Sequence, residues 1–126
     1  IRYATDDYYI ATDTLNITGS RTLPCLDVMI NGKGPYRFLI DLGSNVMNFK
    51  ESLLEDAQME NIVDREGKAD LAVARTLRIG ESVFVDVHGA VYEDLGEGLD
   101  GVIGFNLLGK RDFFYGLSKY EICLYL

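Results

Sequence analysis

Apolar and polar residues alternate in short bursts along most of the chain, the period of strands rather than of helices. Tyr8-Tyr9-Ile10 and Thr14-Leu15-Asn16-Ile17 predict one or two short strands within residues 1–22, with Thr18-Gly19-Ser20 as a turn. Residues 23–30 form a firmer strand. Asn31-Gly32-Lys33-Gly34-Pro35 is a dense turn signal, and residues 36–40 return as the second arm of a hairpin. Asn45-Val46-Met47 reads as a short strand. Asn48 can then cap a helix over residues 49–59, with Glu51 three residues on completing a capping-box-like pair. Leu53, Leu54 and Ala57 would form its inner face.

Beyond the helix, residues 61–63 and 71–77 predict two strands around the polar turn Asp64-Arg65-Glu66-Gly67-Lys68. Arg78-Ile79-Gly80-Glu81 is another turn. Val83, Val85 and Val87 alternate with Phe84, Asp86 and His88, the signature of a half-buried strand that continues to Tyr92 after Gly89. An acidic, glycine-rich loop fills residues 93–98. Leu99-Asp100-Gly101-Val102-Ile103-Gly104 follows, then a short helical turn at Phe105-Asn106-Leu107-Leu108. Phe113-Phe114-Tyr115, a turn at residues 116–119 and a strand over 120–126 close the chain, with Tyr120, Ile122, Leu124 and Leu126 on one face. Short strands with turns every eight to twelve residues predict an all-β barrel or sandwich with one short helix. No βαβ alternation occurs, which argues against a Rossmann-like sheet.

Length makes this one domain: 126 residues can bury a core of useful size. The net charge of −8 argues against a nucleic-acid partner, because phosphate binding needs basic patches. No apolar run is long enough to span a membrane. The chain begins at Ile1 rather than Met, as a trimmed piece does; a removed signal would place it in the periplasm or outside the cell. Cys25 and Cys123 sit in apolar, strand-like runs, which favours buried free thiols over a disulfide. Two cysteines make no metal set and the only histidine, His88, reads as a strand-face residue, so no cofactor or metal is expected. The acidic loop lacks the spacing of a calcium loop, and its Asp94-Leu95-Gly96 reads as a turn.

One stretch carries chemistry. Phe38-Leu39-Ile40 runs straight into Asp41-Leu42-Gly43-Ser44. An acid at the end of a buried strand is costly unless it is paired or hydrogen-bonded. Taken alone, these residues also fit an ordinary Asp-x-Gly turn. The order of the whole chain is more specific. A hairpin with Asn-Gly-x-Gly-Pro delivers an apolar run onto Asp-x-Gly-Ser; a helix, a hairpin and a Leu-x-Ile-Gly turn follow. Then come Asp100-Gly101-Val102-Ile103-Gly104-Phe105 and a terminal hairpin.

This order resembles the retropepsin-like aspartic protease family, in particular its single-domain bacterial members, over residues 23–126. The resemblance implies a closed, mostly antiparallel acid-protease-like β-barrel with one short helix. It assigns the catalytic carboxylate to Asp41, the glycine turn to Gly43 and the supporting hydroxyl to Ser44. Ile103-Gly104 takes the place of the apolar-Gly stretch beneath the catalytic loop. The hairpin around Arg65, Glu66, Gly67 and Lys68 falls where the substrate-covering flap sits. One chain supplies one aspartate, so the resemblance implies a homodimer or a tandem second domain, acting on a peptide or protein. Two departures stand out. Leu42 occupies a position where the family has Thr or Ser, whose hydroxyl bonds across the pair of loops. The flap is also short, with about twenty residues between the helix and Ile79-Gly80. Two functions follow as expectations: an aspartic-type endopeptidase half-site, or a catalytically impaired binding or assembly module of the same fold.

Overall fold

The computed structural model of the chain describes residues 13–20, 23–41, 43–67, 69–96, 98–108, 112–116 and 121–125. Tyr8-Tyr9-Ile10, Leu42 and Lys68 lie outside the described residues, as do residues 117–120.

Eleven strands and two four-residue helices follow one another along the described chain. They are β1 (Asp13–Asn16), β2 (Thr18–Ser20), β3 (Leu23–Ile30), β4 (Lys33–Ile40), β5 (Met47–Lys50), α1 (Leu53–Asp56), β6 (Glu60–Val63) and β7 (Ala69–Ile79). Then come β8 (Ser82–Tyr92), β9 (Gly101–Ile103), α2 (Phe105–Leu108), β10 (Asp112–Gly116) and β11 (Glu121–Tyr125). The turn expected at Thr18-Gly19-Ser20 is instead the strand β2, because its backbone finds a partner in β3, with Thr18 opposite Cys25.

The larger sheet runs β2-β3-β4-β9-β5-β8-β7-β6, and β3 also pairs with β7 through Met29↔Arg78 and Ile30↔Leu77. That extra pairing closes β3-β4-β9-β5-β8-β7 into a six-stranded barrel and leaves β2 and β6 outside the ring. Closure removes the open edges that a flat sheet would leave. Most pairings are antiparallel; β4–β9 and β5–β8 are parallel. A second sheet, β1-β11-β10, joins the two ends of the described chain. The all-β, closed-barrel expectation therefore holds.

The turn chemistry works locally. Asn31 and Gly32 form a two-residue connection from β3 to β4, with φ of 51° and 79°. Left-handed values at both central positions match the twist of a hairpin, and Asn-Gly tolerates them best. Inside the barrel lie Phe38, Phe49, Leu26, Ile30, Met47, Leu77 and Ile103, all fully buried. The Phe38 and Phe49 rings meet edge to face at 5.9 Å, the preferred arrangement for their quadrupoles. Cys25 is a buried free thiol that donates to the Leu23 carbonyl; the side chain of Cys123, on β11, lies outside what the structure describes.

The helix differs from expectation. Residues 49–59 hold only α1, and Asn48 and Phe49 belong to β5. Met47 to Lys50 pair with β8, and Asn48 and Phe49 also pair with β9. A cap is worth about 1 kcal/mol; a two-sided ladder plus burial of Met47 and Phe49 exceeds it. Ser52 takes the N-cap position without a side-chain bond, and Gln58, at φ 52°, ends the segment. Leu53 and Ala57 are buried as expected, with Leu54 packed beside them. The strand expected at residues 45–47 accordingly begins two residues later.

Candidate active site

Asp41 leaves the barrel at the end of β4. Phe38, Leu39 and Ile40 run parallel to β9, opposite Gly101, Val102 and Ile103. Phe38 is fully buried and Ile40 nearly so, yet Asp41 is exposed. The buried strand thus ends by presenting one carboxylate to solvent. Phe38 lies so close over β9 that a side chain at Gly101 would meet its ring at 2.2 Å. Asp100, just before β9, ties β4 to β5. Its carboxylate accepts from the Arg37 N–H at 2.9 Å, and its carbonyl accepts from the Lys50 N–H at 2.8 Å.

The loop after Asp41 is fixed mainly by backbone. Asp41 N–H donates to the Ile103 carbonyl at 3.0 Å, continuing the β4–β9 ladder by one residue. Gly43 N–H donates to the Asp41 carboxylate at 3.1 Å, and Ser44 N–H to the Asp41 carbonyl at 3.1 Å. Phe105 N–H donates to the Ser44 carbonyl at 2.8 Å. The Ser44 hydroxyl donates to the Val46 carbonyl at 3.0 Å. It braces the loop, and the side-chain bond at the carboxylate comes from Gly43 instead. Gly104 completes the clasp: a Cβ there would stand 2.3 Å from the Val46 carbonyl oxygen. The first turn of α2 can approach the loop this closely only because residue 104 has no side chain.

The structure therefore gathers Asp41, Gly43, Ser44, Ile103 and Gly104 into one unit from two distant stretches of sequence. Leu42 lies outside the described residues. Arg65, Glu66 and Gly67 form an exposed turn between β6 and β7, closed by Gly67 N–H to the Asp64 carbonyl at 3.1 Å. Among the described residues they make no hydrogen bond to the Asp41 loop. Asp94-Leu95-Gly96 is a local turn, with Gly96 N–H on the Asp94 carboxylate at 2.9 Å. Among the described residues no group of three or more His, Cys, Asp or Glu is placed to hold a metal. No helix among them is long and apolar enough to cross a membrane.

Two residues that the sequence did not single out border the Asp41 loop, bonded to it through Ser44. Val46 and Phe105 are 51% and 42% exposed on either side of the Ser44 brace. Ile62, Val63 and Leu71 are likewise exposed on the β6–β7 hairpin, with Ile62 opposite Leu71. Their one signal in the sequence is an apolar residue in a loop or on an outward strand position, and it becomes legible only once the faces are known.

Comparison with known structures agrees with this architecture. A retropepsin-like aspartic protease from Rickettsia conorii superposes with a TM-score of 0.66 at 18% identity, covering 89% of this chain and 90% of that one. The retroviral protease-like domain of Ddi1 from Leishmania major gives 0.60 at 14% identity, covering 86% and 96%. At these identities the likeness is one of fold. No curated protein sequence matches the chain. A family model described as aspartyl protease matches residues 26–107, from the middle of β3 through α2, which takes in both halves of the Asp41 clasp. The chain belongs to the aspartyl protease family and has its retropepsin-like fold.

Proposed function

We propose that the chain is one half of an aspartic-type endopeptidase site, with Asp41 as the catalytic carboxylate and a second aspartate supplied by another copy or a tandem domain. The observation that carries the reading is the exposed Asp41 carboxylate, held at the end of a buried strand by Gly43 N–H and by a loop clasped to α2. Among the described residues no cation pairs with it. A lone, outward carboxylate on a rigid mount does little by itself. Set against its counterpart, it makes a pair that shares one proton, because two adjacent carboxylates do not both ionise. The ionised member takes a proton from water, and the protonated one polarises the scissile carbonyl. The apolar surfaces of Val46 and Phe105 flank the place where the peptide would lie, and the Arg65-Glu66-Gly67 turn would cover it.

The test is cleavage of an unfolded protein between pH 3 and 7, with solution mass measured in parallel. Self-association with acid-pH cleavage that Asp41→Asn abolishes is expected. A monomer at high concentration with no cleavage overturns the reading. A second reading, a weakened site serving as a binding or assembly module, is favoured by Leu42 and by the engagement of the Ser44 hydroxyl with Val46. It expects peptidase activity to appear or rise in Leu42→Thr. A parent chain that already cleaves as fast as Leu42→Thr dismisses it.

A further inference from the structure

Strands β7 and β8 are each eleven residues long and pair in one register, from Leu71↔Ala90 to Ile79↔Ser82, interrupted at the level of Arg75 and Asp86. Both nevertheless change face at the same level. On β7 the buried positions run Ala72, Val73 and Ala74, then Leu77 and Ile79; on β8 they run Ser82, Phe84, then Val87 and Gly89. Arg75-Thr76 and Val85-Asp86 are the consecutive outward residues between them. A strand places two neighbours on one side only where its backbone leaves the extended region. Asp86 does so with a φ of 50°, uncommon for a residue with a side chain. The expected alternation through Val83, Val85 and Val87 therefore breaks, and Val83 and Val85 face outward.

Arg75 and Asp86 are direct partners across this break. Arg75 Nη1 donates to Asp86 at 3.3 Å, and its Nη2 donates to Glu60. His88 Nδ1–H donates to the Asp86 carbonyl at 2.9 Å. Glu60 opens β6, the edge strand outside the barrel ring, all four of whose residues are exposed. Its described strand pairing is with β7 alone, with a register shift at Ile62/Val63. One guanidinium thus joins an edge strand of the large sheet to the bent pair behind it.

We propose that Arg75 is an ionic latch holding β6 onto the barrel, and that peeling of β6 is the motion that opens the β6–β7 hairpin. The functional consequence rests on the reading of that hairpin as the cover of the site; the motion itself does not. A forked guanidinium can hold two carboxylates at once, which a lysine ammonium does less well. Both ion pairs are exposed, at 62% for Arg75 against 56% for Glu60 and 58% for Asp86. The latch is therefore weak and salt-sensitive, as a part that must open repeatedly needs to be.

Amide hydrogen exchange on the full chain tests this without substrate, so failure here and failure of the peptidase reading are separable. Arg75→Gln should speed exchange of the β6 amides by roughly two- to fivefold, the range set by exposed ion pairs, while amides that exchange by local openings elsewhere in the barrel keep their rates. Raising salt should speed the same amides in the parent and not in Arg75→Gln. Arg75→Lys should fall between the two. Unchanged β6 exchange in Arg75→Gln, or an equal rise throughout the barrel, overturns the latch.

Discussion

Substituting Gly104 by alanine separates packing from every other effect at this position. The residue carries no left-handed φ, so the backbone accepts alanine without conformational strain. What it does not accept is the methyl group. The Cβ would stand 2.3 Å from the Val46 carbonyl oxygen, 2.7 Å from its carbon and 2.9 Å from its nitrogen. All three are backbone atoms, so no rotamer change relieves the contact. Either the loop from Asp41 to Val46 or the start of α2 must move by about 1 Å, since ordinary contacts begin near 3.5 Å. Overpacking of this kind costs about 3 kcal/mol or more. For a chain of this length that lowers the thermal midpoint by about 11 °C. Urea unfolding at constant slope gives the free energy directly. Gly67→Ala is the matched control: it has open space around its Cβ and a φ of 81°, so it should lose only about 1 kcal/mol. Adding Val46→Ala to Gly104→Ala should restore nothing, because the clash is with backbone. A loss for Gly104→Ala no larger than for Gly67→Ala, or its rescue by Val46→Ala, would refute a backbone clash at this position.

Three further outcomes follow from particular contacts. Asn31→Ala should lose about 2–3 kcal/mol in urea unfolding, because the side chain donates to the Ala57 carbonyl at 2.9 Å and accepts from Thr76 N–H at 3.1 Å. Asn31→Gly, free of strain at φ 51°, should lose less, and equal losses would refute that division. Phe38→Ala should lose about 3–5 kcal/mol, given full burial and the edge contact with Phe49; a loss under 1 kcal/mol would mean the barrel collapses around the gap. The Tyr36 hydroxyl is pushed up to about 12 from 10.0, first by burial and then by its hydrogen bond to Asp56. A raised value means that the folded state holds the proton more tightly. Its contribution to stability is complete below pH 10 and fades as pH rises through about 12. The difference in phenolate absorbance between the parent and Tyr36→Phe should show this late ionisation, and Asp56→Asn should bring it earlier.

The amino-acid sequence by itself determined most of the strands and the β3–β4 turn. Alternation marked β3, β4, β6 and β7, and Asn31-Gly32 fixed a hairpin, because those signals act over a few residues and depend on the chain's own torsions. The run from Phe38 to Gly43 marked the carboxylate for the same reason: an acid after a buried strand is a local anomaly. Tertiary structure decided the rest. Asn48 and Glu51 look like the start of a helix until β8 and β9 pair with β5 from both sides. Val83, Val85 and Val87 look like neighbours until Asp86 turns the strand over. Asn31 became the pin joining the β3–β4 turn to α1 and β7, and Asp100 the tie across β4 and β5, only through partners dozens of residues away. Gly104 shows the division most clearly. The sequence offers a glycine after Val102-Ile103; only the packed barrel supplies the Val46 backbone at 2.3 Å that leaves no room for anything else. Local torsions and periodicity travel with the sequence, whereas closure of the β3–β7 seam and the clasp around Asp41 depend on which distant backbone groups meet.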